Sequence, residues 1–370
     1  MPRGKRDGLL IAGGGVAGCL AALAMARFRP EVPLLIVEEC DEFGGGDYQL
    51  LFDAEVDDGA RPLLAPIVRN HWSGFYVAFP DMSRKLRIPL SGFGGNALHR
   101  VMVEALRPDQ YRLGTKVVAV REDALVLDGG ETIKAQGALD ARGLLSQSTL
   151  DLAWLVRVER GYRTSAPHGL DRPVLVDTSA DGANGLGFIQ ALPLSADRLL
   201  LAEEQVSEGS QPAAGAAARL DTYCALRGWS VAAAGEPATI VRPLPHGGDF
   251  DAFWRIGGAR VGRLGRRGGF QHPLSGRGVA DAAHLAILLA RQSDLEGGAL
   301  HDLLEAEAKR LWRQREPQRA VVAAIAAAEP SARHATIERL FRLDVGIVGR
   351  LQSDRLGMID RMRLARVLRA

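Results

Sequence analysis

Leu9-Leu10-Ile11-Ala12-Gly13-Gly14-Gly15-Val16-Ala17-Gly18 is the stretch on which the reading of this chain turns. Four apolar residues suit a short strand buried on both faces. The next six residues fit G-x-G-x-x-G, with Gly13, Gly15 and Gly18 at the glycine positions and Gly14, Val16 and Ala17 between them. Each glycine has a separate task. Gly13 allows the tight turn. Gly15 has no Cβ, so backbone can approach a pyrophosphate. Gly18 lets the next helix pack close to the strand. The helix N-terminus then offers free N–H groups and a positive dipole end to the phosphates. The context supports the motif. Gly18 to Phe28 is rich in Ala and Leu and reads as helix, bounded by Pro30 and Pro33. Leu34-Leu35-Ile36-Val37 reads as a second buried strand, ending in Glu38-Glu39. Glu38 is placed to accept hydrogen bonds from ribose hydroxyls, and its charge repels a 2′-phosphate. The segment is a βαβ, Rossmann-type unit for a dinucleotide.

The same residues admit a second reading. A basic start (Arg3, Lys5, Arg6) and an apolar run from Leu9 to Ala26 resemble a secretory signal or a membrane span. Neither explains glycines at a fixed spacing, and no other long uncharged apolar run exists, so no transmembrane helix is expected. The length of 370 residues suggests about two domains. With 47% hydrophobic and 24% charged residues, the chain is a folded protein and not a disordered one. A net charge of +2 gives no case for nucleic-acid binding. Cys19, Cys40 and Cys224 are too far apart for a metal site and suggest no disulfide framework, which suits a reducing cytoplasm.

Working outward, residues 41–60 are Gly- and Asp-rich and read as a loop. Tyr76 to Phe79 and Arg84 to Pro89 have β character, and Asn96 to Leu106 carries a helical apolar stripe. Lys116 to Val120 and Ala124 to Leu127 read as a hairpin, and Ala138 to Ala141 as a short strand. Residues 154–205 alternate as strands, Ala213 to Arg227 is helical, and 238–262 returns to strand-like segments. From Gly278 onward the pattern is almost wholly helical. This order predicts an α/β fold. Residues 1–60, 93–150 and 257–290 form a discontinuous FAD-binding domain. An antiparallel β substrate domain, 61–92 and 151–256, is interleaved with it, and 291–370 forms a helical C-terminal region.

FAD is favoured over NAD by Gly269-Phe270-Gln271-His272-Pro273-Leu274-Ser275-Gly276-Arg277-Gly278-Val279, which leads into a helix. A Pro and small residues at a helix start present N–H groups to an anion. Pro273, Gly276, Arg277 and Gly278 are therefore expected to contact the cofactor. A plain helix-start loop is the alternative, and His272 by itself reads as structural.

Several segments resemble the bacterial FAD-dependent lycopene β-cyclase family. Ala166-Pro167-His168-Gly169-Leu170-Asp171-Arg172-Pro173 through Asp177 is similar to the segment after its first flavin domain. Leu192-Pro193-Leu194-Ser195-Ala196-Asp197-Arg198-Leu199-Leu200-Leu201-Ala202-Glu203-Glu204 resembles its LPLSADRLLIED strand. Asp140-Ala141-Arg142-Gly143 resembles its DGRG turn, and His272-Pro273 with Gly276 matches parts of its FHPTTGYSLP loop. Glu338 to Leu343 and Asp360 to Arg363 are similar to its C-terminal helices. The chain departs from the family at Gly44-Gly45-Gly46-Asp47-Tyr48-Gln49-Leu50-Leu51-Phe52, where the family has GGNHTWSFH, and at Leu274-Ser275-Gly276-Arg277-Gly278.

The resemblance implies a glutathione-reductase-like flavoprotein that cyclises the linear ψ-ends of lycopene to β-ionone rings, giving γ- or β-carotene. It implies reduced FAD with NAD(P)H as reductant, no metal and no net redox change. Protonating an alkene demands an acid kept protonated in an apolar, dry site. Glu203 matches the family's acid. Glu204 beside it points to the other face of the strand, so only one can face substrate, and Glu203 is expected to be the one. Asp140 and Arg142 either orient the cofactor or form a plain ion-paired turn. Trp154, Trp229 and Trp254 either line a polyene tunnel or fill the core. Arg339, Arg342, Arg350, Arg355, Arg361, Arg363, Arg366 and Arg369 lie among apolar residues. A solvated helical face is the alternative, and peripheral attachment to an anionic membrane, on the cytoplasmic side of the inner membrane, is expected. A monooxygenase or polyprenoid reductase of the same fold, and a non-catalytic carotenoid- or flavin-binding protein, are the rival readings.

Overall fold

The computed structural model describes residues 7–143, 148–178, 187–207, 209–257, 259–329 and 332–369. The basic start at Arg3, Lys5 and Arg6, and the side chain of Arg369, lie outside the described residues.

The chain opens with β1 (Leu9–Ala12), α1 (Val16–Phe28) and β2 (Leu34–Val37). Next come β3 (Gln49–Phe52), α2 (Arg61–Leu64), β4 (Asn70–Trp72), β5 (Phe75–Phe79), β6 (Met82–Leu86) and β7 (Leu90–Phe93). Then come α3 (Gly95–Ala105), β8 (Tyr111–Arg112), β9 (Val117–Arg121), β10 (Ala124–Leu127), β11 (Thr132–Lys134) and β12 (Gly137–Asp140). The central block holds β13 (Leu150–Thr164), β14 (Val174–Asp177), β15 (Phe188–Ser195), β16 (Arg198–Ser207), α4 (Ala216–Leu226), β17 (Val231–Ala233) and β18 (Ala238–Gly248). The chain ends with α5 (Phe250–Arg255), β19 (Gly262–Arg263), α6 (Val279–Ala290), α7 (Gly297–Gln314), α8 (Glu316–Ala327), α9 (Arg333–Arg342), α10 (Val345–Gln352) and α11 (Met358–Arg369).

A parallel sheet runs in the order β19-β12-β1-β2-β8, the spatial order of a Rossmann-type dinucleotide fold. Its strands β1 and β2 are continuous apolar runs because both faces are covered. Leu9 and Ile11 of β1 pack against α1, α6 and α7 in one core, while Leu10 and Ala12 pack against the antiparallel meander β9-β10-β11 on the other side. A second, eight-stranded sheet runs β17-β13-β16-β15-β14-β5-β6, with β18 also paired to β13. Leu199 and Leu201 point to the face covered by α4, where Leu220, Tyr223 and Cys224 complete a core. The opposite face meets α8 and the loop at Leu274 through Leu155, Val206, Leu244 and Val322. A small sheet, β3-β7-β4, bridges the two large ones.

Two segments differ from their sequence reading. The 41–60 stretch is not all loop, because Gln49–Phe52 pairs with Leu90–Phe93. The 238–262 stretch does not stay extended. Asp249 accepts the Ala252 N–H at 2.8 Å, and that N-cap starts α5 directly after β18. No helix among the described residues is long and apolar enough to cross a membrane.

Candidate functional site

A cavity of about 570 Å³ opens at the C-terminal ends of β1 and β2, where the switch in strand order leaves a crevice. Gly13 holds φ at +103°, and a Cβ there would stand 2.7 Å from the Ala141 backbone. A Cβ on Gly18 would lie 1.9 Å from the Gly13 carbonyl oxygen, so α1 and the turn touch only because it is absent. Gly15 is different. A Cβ added there meets nothing within 4 Å and would project into open space. Val16 and Ala17 line the same cavity, and the first turn of α1 has no side-chain cap, so its N–H groups remain for a ligand. Gly14 packs under Phe43 and Glu38. Glu38 lines the cavity and accepts the N–H groups of Gly14 and, at 3.0 Å, of Cys40. The crevice, the open Gly15 and the acid at the end of β2 fit a dinucleotide.

Gly265, Arg266, Phe270 and Gly278 also line the cavity. Gly278 is the N-cap of α6, so a second helix start faces the same space. Pro273 and Gly276 shape the loop instead of lining the cavity. Gly276 takes φ +62° and donates its N–H to the His272 carbonyl at 2.8 Å, while a Cβ there would press on Arg242. Arg277 corrects its expected role. Its guanidinium turns away from the cavity, bonds Glu55 and Gln352 at 3.0 Å each, and stacks over Phe52. Burial raises the Glu55 carboxyl, and Arg277 only partly offsets that. His272 is buried, and burial, reinforced by Arg277 and Arg315, pushes its pKa well below the ordinary histidine value. It is a neutral structural histidine that meets the Leu351 carbonyl at 3.3 Å.

The segment where the chain departs from the family borders the cavity. Gly44, Gly45, Gly46, Asp47 and Gln49 all line it. Asp47 accepts from Gln49 and from Arg242, both at 2.7 Å. Arg242 lies on β18, so this ion pair joins the cavity to the large sheet. Asp140 receives Arg142 from its own turn and Arg267 at 2.6 Å, a paired turn in which Arg142 still lines the cavity.

Glu203 does not reach the cavity. It is buried and held by Arg219 of α4, whose Nε and Nη2 donate to its two oxygens at 2.6 and 2.5 Å. Residues directly opposite across a sheet share a face. Glu204 opposes Arg157, Ala202 opposes Glu159, and Arg157 opposes Ile240, two residues from Arg242 on β18. Glu204, Ala202, Arg157, Glu159 and Arg242 therefore share the face that carries the Asp47 link, while Glu203 shares the α4 face. Alternation correctly separates the two acids, and Glu204, not Glu203, shares the face of Arg242. On the inner face Arg157 donates to Glu159 at 2.7 Å, to Gln190 at 2.7 Å and to Glu204. Burial works against the Arg157 charge, but Glu204 and Glu159 more than offset it. This cluster escaped the sequence reading. Its signal was Arg157 and Glu159, two ionisable residues on one face of a strand, directly after the apolar run Leu152 to Val156. The Asp47–Arg242 pair, 195 residues apart, had no such signal.

The tryptophans fall outside the cavity lining. Trp254 is in the main core, Trp229 packs beside Tyr223, and Trp154 shares the face of Glu203. Among the C-terminal arginines, Arg342 pairs with Glu338 and Arg350 with Asp360. On α11, Met358, Ile359 and Met362 are 80%, 67% and 56% exposed, and Arg361, Arg363 and Arg366 are exposed beside them.

A family model described as "Lycopene cyclase protein" matches residues 8–368. The lycopene beta-cyclase of Pseudescherichia vulneris is 28% identical over 358 residues, covering 96% of this chain and 92% of that protein. The lycopene beta-cyclase of Pantoea ananas is 25% identical over 358 residues, covering 96% and 93%. Among solved structures, a geranylgeranyl bacteriochlorophyll reductase-like protein from Thermoplasma acidophilum superposes with a TM-score of 0.65 at 11% identity, over 97% of this chain and 96% of that one. A flavin-dependent brominase gives 0.61 at 14% identity, over 99% and 98%. At such identities these two establish shared fold only.

Proposed function

The chain belongs to the lycopene cyclase family, and from that premise we propose that it closes the linear ψ-ends of lycopene into β-ionone rings without net redox change. The carrying observation is that the dinucleotide cavity is joined, through Asp47 and Arg242, to the sheet face that holds Glu159, Arg157 and Glu204. Gly15, Val16 and Ala17 would hold the pyrophosphate of FAD and Glu38 its adenosine ribose. Reduced by NAD(P)H, that cofactor would supply negative charge to the site.

Counted from Leu192, the family stretch LPLSADRLLIED sets its glutamate on Ala202 and its aspartate on Glu203. Ala202 has no proton to give. Glu159 is its direct partner on the neighbouring strand, so we assign the acid to Glu159 and not to Glu203. Arg157 holds it in place and also bonds Glu204. Glu159 first takes up a proton in place of its bond to Arg157, whose charge Glu204 still balances, and then delivers that proton to the terminal C=C, leaving a tertiary carbocation on the substrate. The neighbouring double bond attacks and closes the six-membered ring. Loss of a ring proton then restores the charge balance, so one proton enters and one leaves. The buried surroundings keep water from trapping the cation as an alcohol.

Lycopene resides in lipid. The exposed Met358, Ile359 and Met362 with Arg361, Arg363 and Arg366 on α11 support peripheral attachment to an anionic membrane on the cytoplasmic side.

The test is incubation with lycopene, FAD and a catalytic amount of reductant. A product of unchanged mass with blue-shifted absorbance supports cyclisation. A product heavier by oxygen or hydrogen, with stoichiometric reductant consumption, establishes a monooxygenase or polyprenoid reductase instead.

A further inference from the structure

Arg266 lines the dinucleotide cavity, yet among the described residues its guanidinium makes no hydrogen bond and no ion pair. Most other charged groups there are spoken for, and Glu39 and Glu42, which also line the cavity, are exposed. Asp47 is bound by Arg242, Glu38 by the Gly14 and Cys40 amides, and Arg142 and Arg267 by Asp140. Arg266 is also partly buried, and its surroundings disfavour its charge, burial first and Arg242 second, with Asp47 offsetting them only in part. An uncompensated cation withdrawn from water is costly unless an anion joins it.

Its position indicates which anion. The adjacent Gly265 abuts Ala17, since a Cβ there would be 2.9 Å from the Ala17 Cβ. Gly265 thus brings the backbone that carries Arg266 beside the first turn of α1, and Arg266 lines the cavity that Gly15 also lines. Two partial positive charges, from the starts of α1 and α6, border the same cavity. The planar fork of a guanidinium matches phosphate oxygens bidentately.

We propose that Arg266 is the counter-ion of the dinucleotide's pyrophosphate, a charge contact added by this chain to the glycine-rich turn. It rests on the dinucleotide reading of the cavity and not on cyclase chemistry, so it stands or falls independently of the ring closure.

The experiment is titration of the apoprotein with oxidised FAD, followed by flavin fluorescence, for the wild type, Arg266→Gln and Arg266→Lys. Thermal unfolding is recorded for each with and without FAD. Arg266→Gln is expected to weaken FAD binding about 10- to 100-fold and to make it less sensitive to salt. Arg266→Lys recovers part of the loss. The apo form of Arg266→Gln keeps or gains thermal stability, because the lone charge is gone, while its stabilisation by FAD shrinks. Competition by ADP must weaken in parallel, and competition by riboflavin must not. The proposal is overturned if FAD and ADP bind Arg266→Gln within twofold of wild type. It is equally overturned if oxidised FAD binds normally and only the flavin reduction potential falls, which would place the contact at the isoalloxazine ring. Loss of apo stability in Arg266→Gln would assign the residue a structural role instead.

Discussion

Two glycines of one motif are expected to fail in opposite ways. Gly18→Val forces side-chain atoms into the Gly13 carbonyl, 1.9 Å from the position of the new Cβ. It should destabilise the apoprotein by about 1–3 kcal/mol or more, read from urea unfolding. Gly15→Val meets no protein atom within 4 Å of the new Cβ. It should leave apo stability nearly unchanged and raise the Kd for FAD at least about tenfold, since the side chain occupies the ligand's space. The acids give a sharper contrast. Glu159→Gln should abolish ring closure while FAD still binds. Glu203→Gln should leave turnover within a few-fold and cost stability, because Arg219 loses a buried bidentate partner. If Glu203→Gln alone abolishes turnover of the folded, flavin-loaded protein, the assignment to Glu159 is wrong. The residue scale also marks where sequence reading ended. The glycine spacing follows from local backbone sterics and was legible. That Glu203 and Glu204 diverge was legible too, from the two-residue period of a strand. Which of them faces inward was not, because the position of α4, further along the chain, decides it.

At the scale of elements, His284 ties α6 to two neighbours, meeting Asp57 at 3.0 Å and Glu307 of α7 at 2.9 Å. The Glu307 contact, then Asp57, raises the His284 pKa above 6.5 despite partial burial. Glu307, held chiefly by Arg310 and next by His284, is lowered from 4.5 to about 2. The raised histidine contributes stability that is complete below pH 6.5 and fades as pH climbs through its folded value. The lowered carboxylate contributes above pH 4.5 and fades as pH falls toward about 2. The clamp should therefore be strongest between these limits. The urea midpoint of the wild type should drop as pH rises above 6.5, and His284→Gln should flatten that slope. A second element, α11, carries its own test. Replacing Ile359 and Met362 by Glu should reduce sedimentation with vesicles containing anionic lipid by several-fold, with no change on neutral vesicles or in FAD affinity. Wild-type protein that ignores such vesicles would sink the membrane assignment. The buried strands and the helical end were readable from apolar runs and periodicity. Gln49–Phe52 was not, because four residues after a glycine-rich stretch carry no pattern of their own and become a strand only by pairing with Leu90–Phe93.

At the scale of the whole molecule, the first strand of the nucleotide sheet waits for one of the last. β1 pairs with β12 beside it, and β12 in turn pairs with β19 at Gly262 and Arg263, so the sheet is closed by residues far downstream of its first strand. β13 likewise spends its fifteen residues on partners later in the chain, β16, β17 and β18. Long-range pairing of this kind slows folding, since the loop must close before the contact rewards it. During synthesis at about 5–20 residues per second, the ribosome would hold a half-built crevice for many seconds. A fragment ending at Gly248, the last residue of β18, would lack the closing strand, the cavity-lining Gly265 and Gly278, and the α6 helix start. Such a fragment should be captured by chaperones and should not retain flavin. Co-expressing two halves split at the same point should restore binding only where they meet before aggregation does.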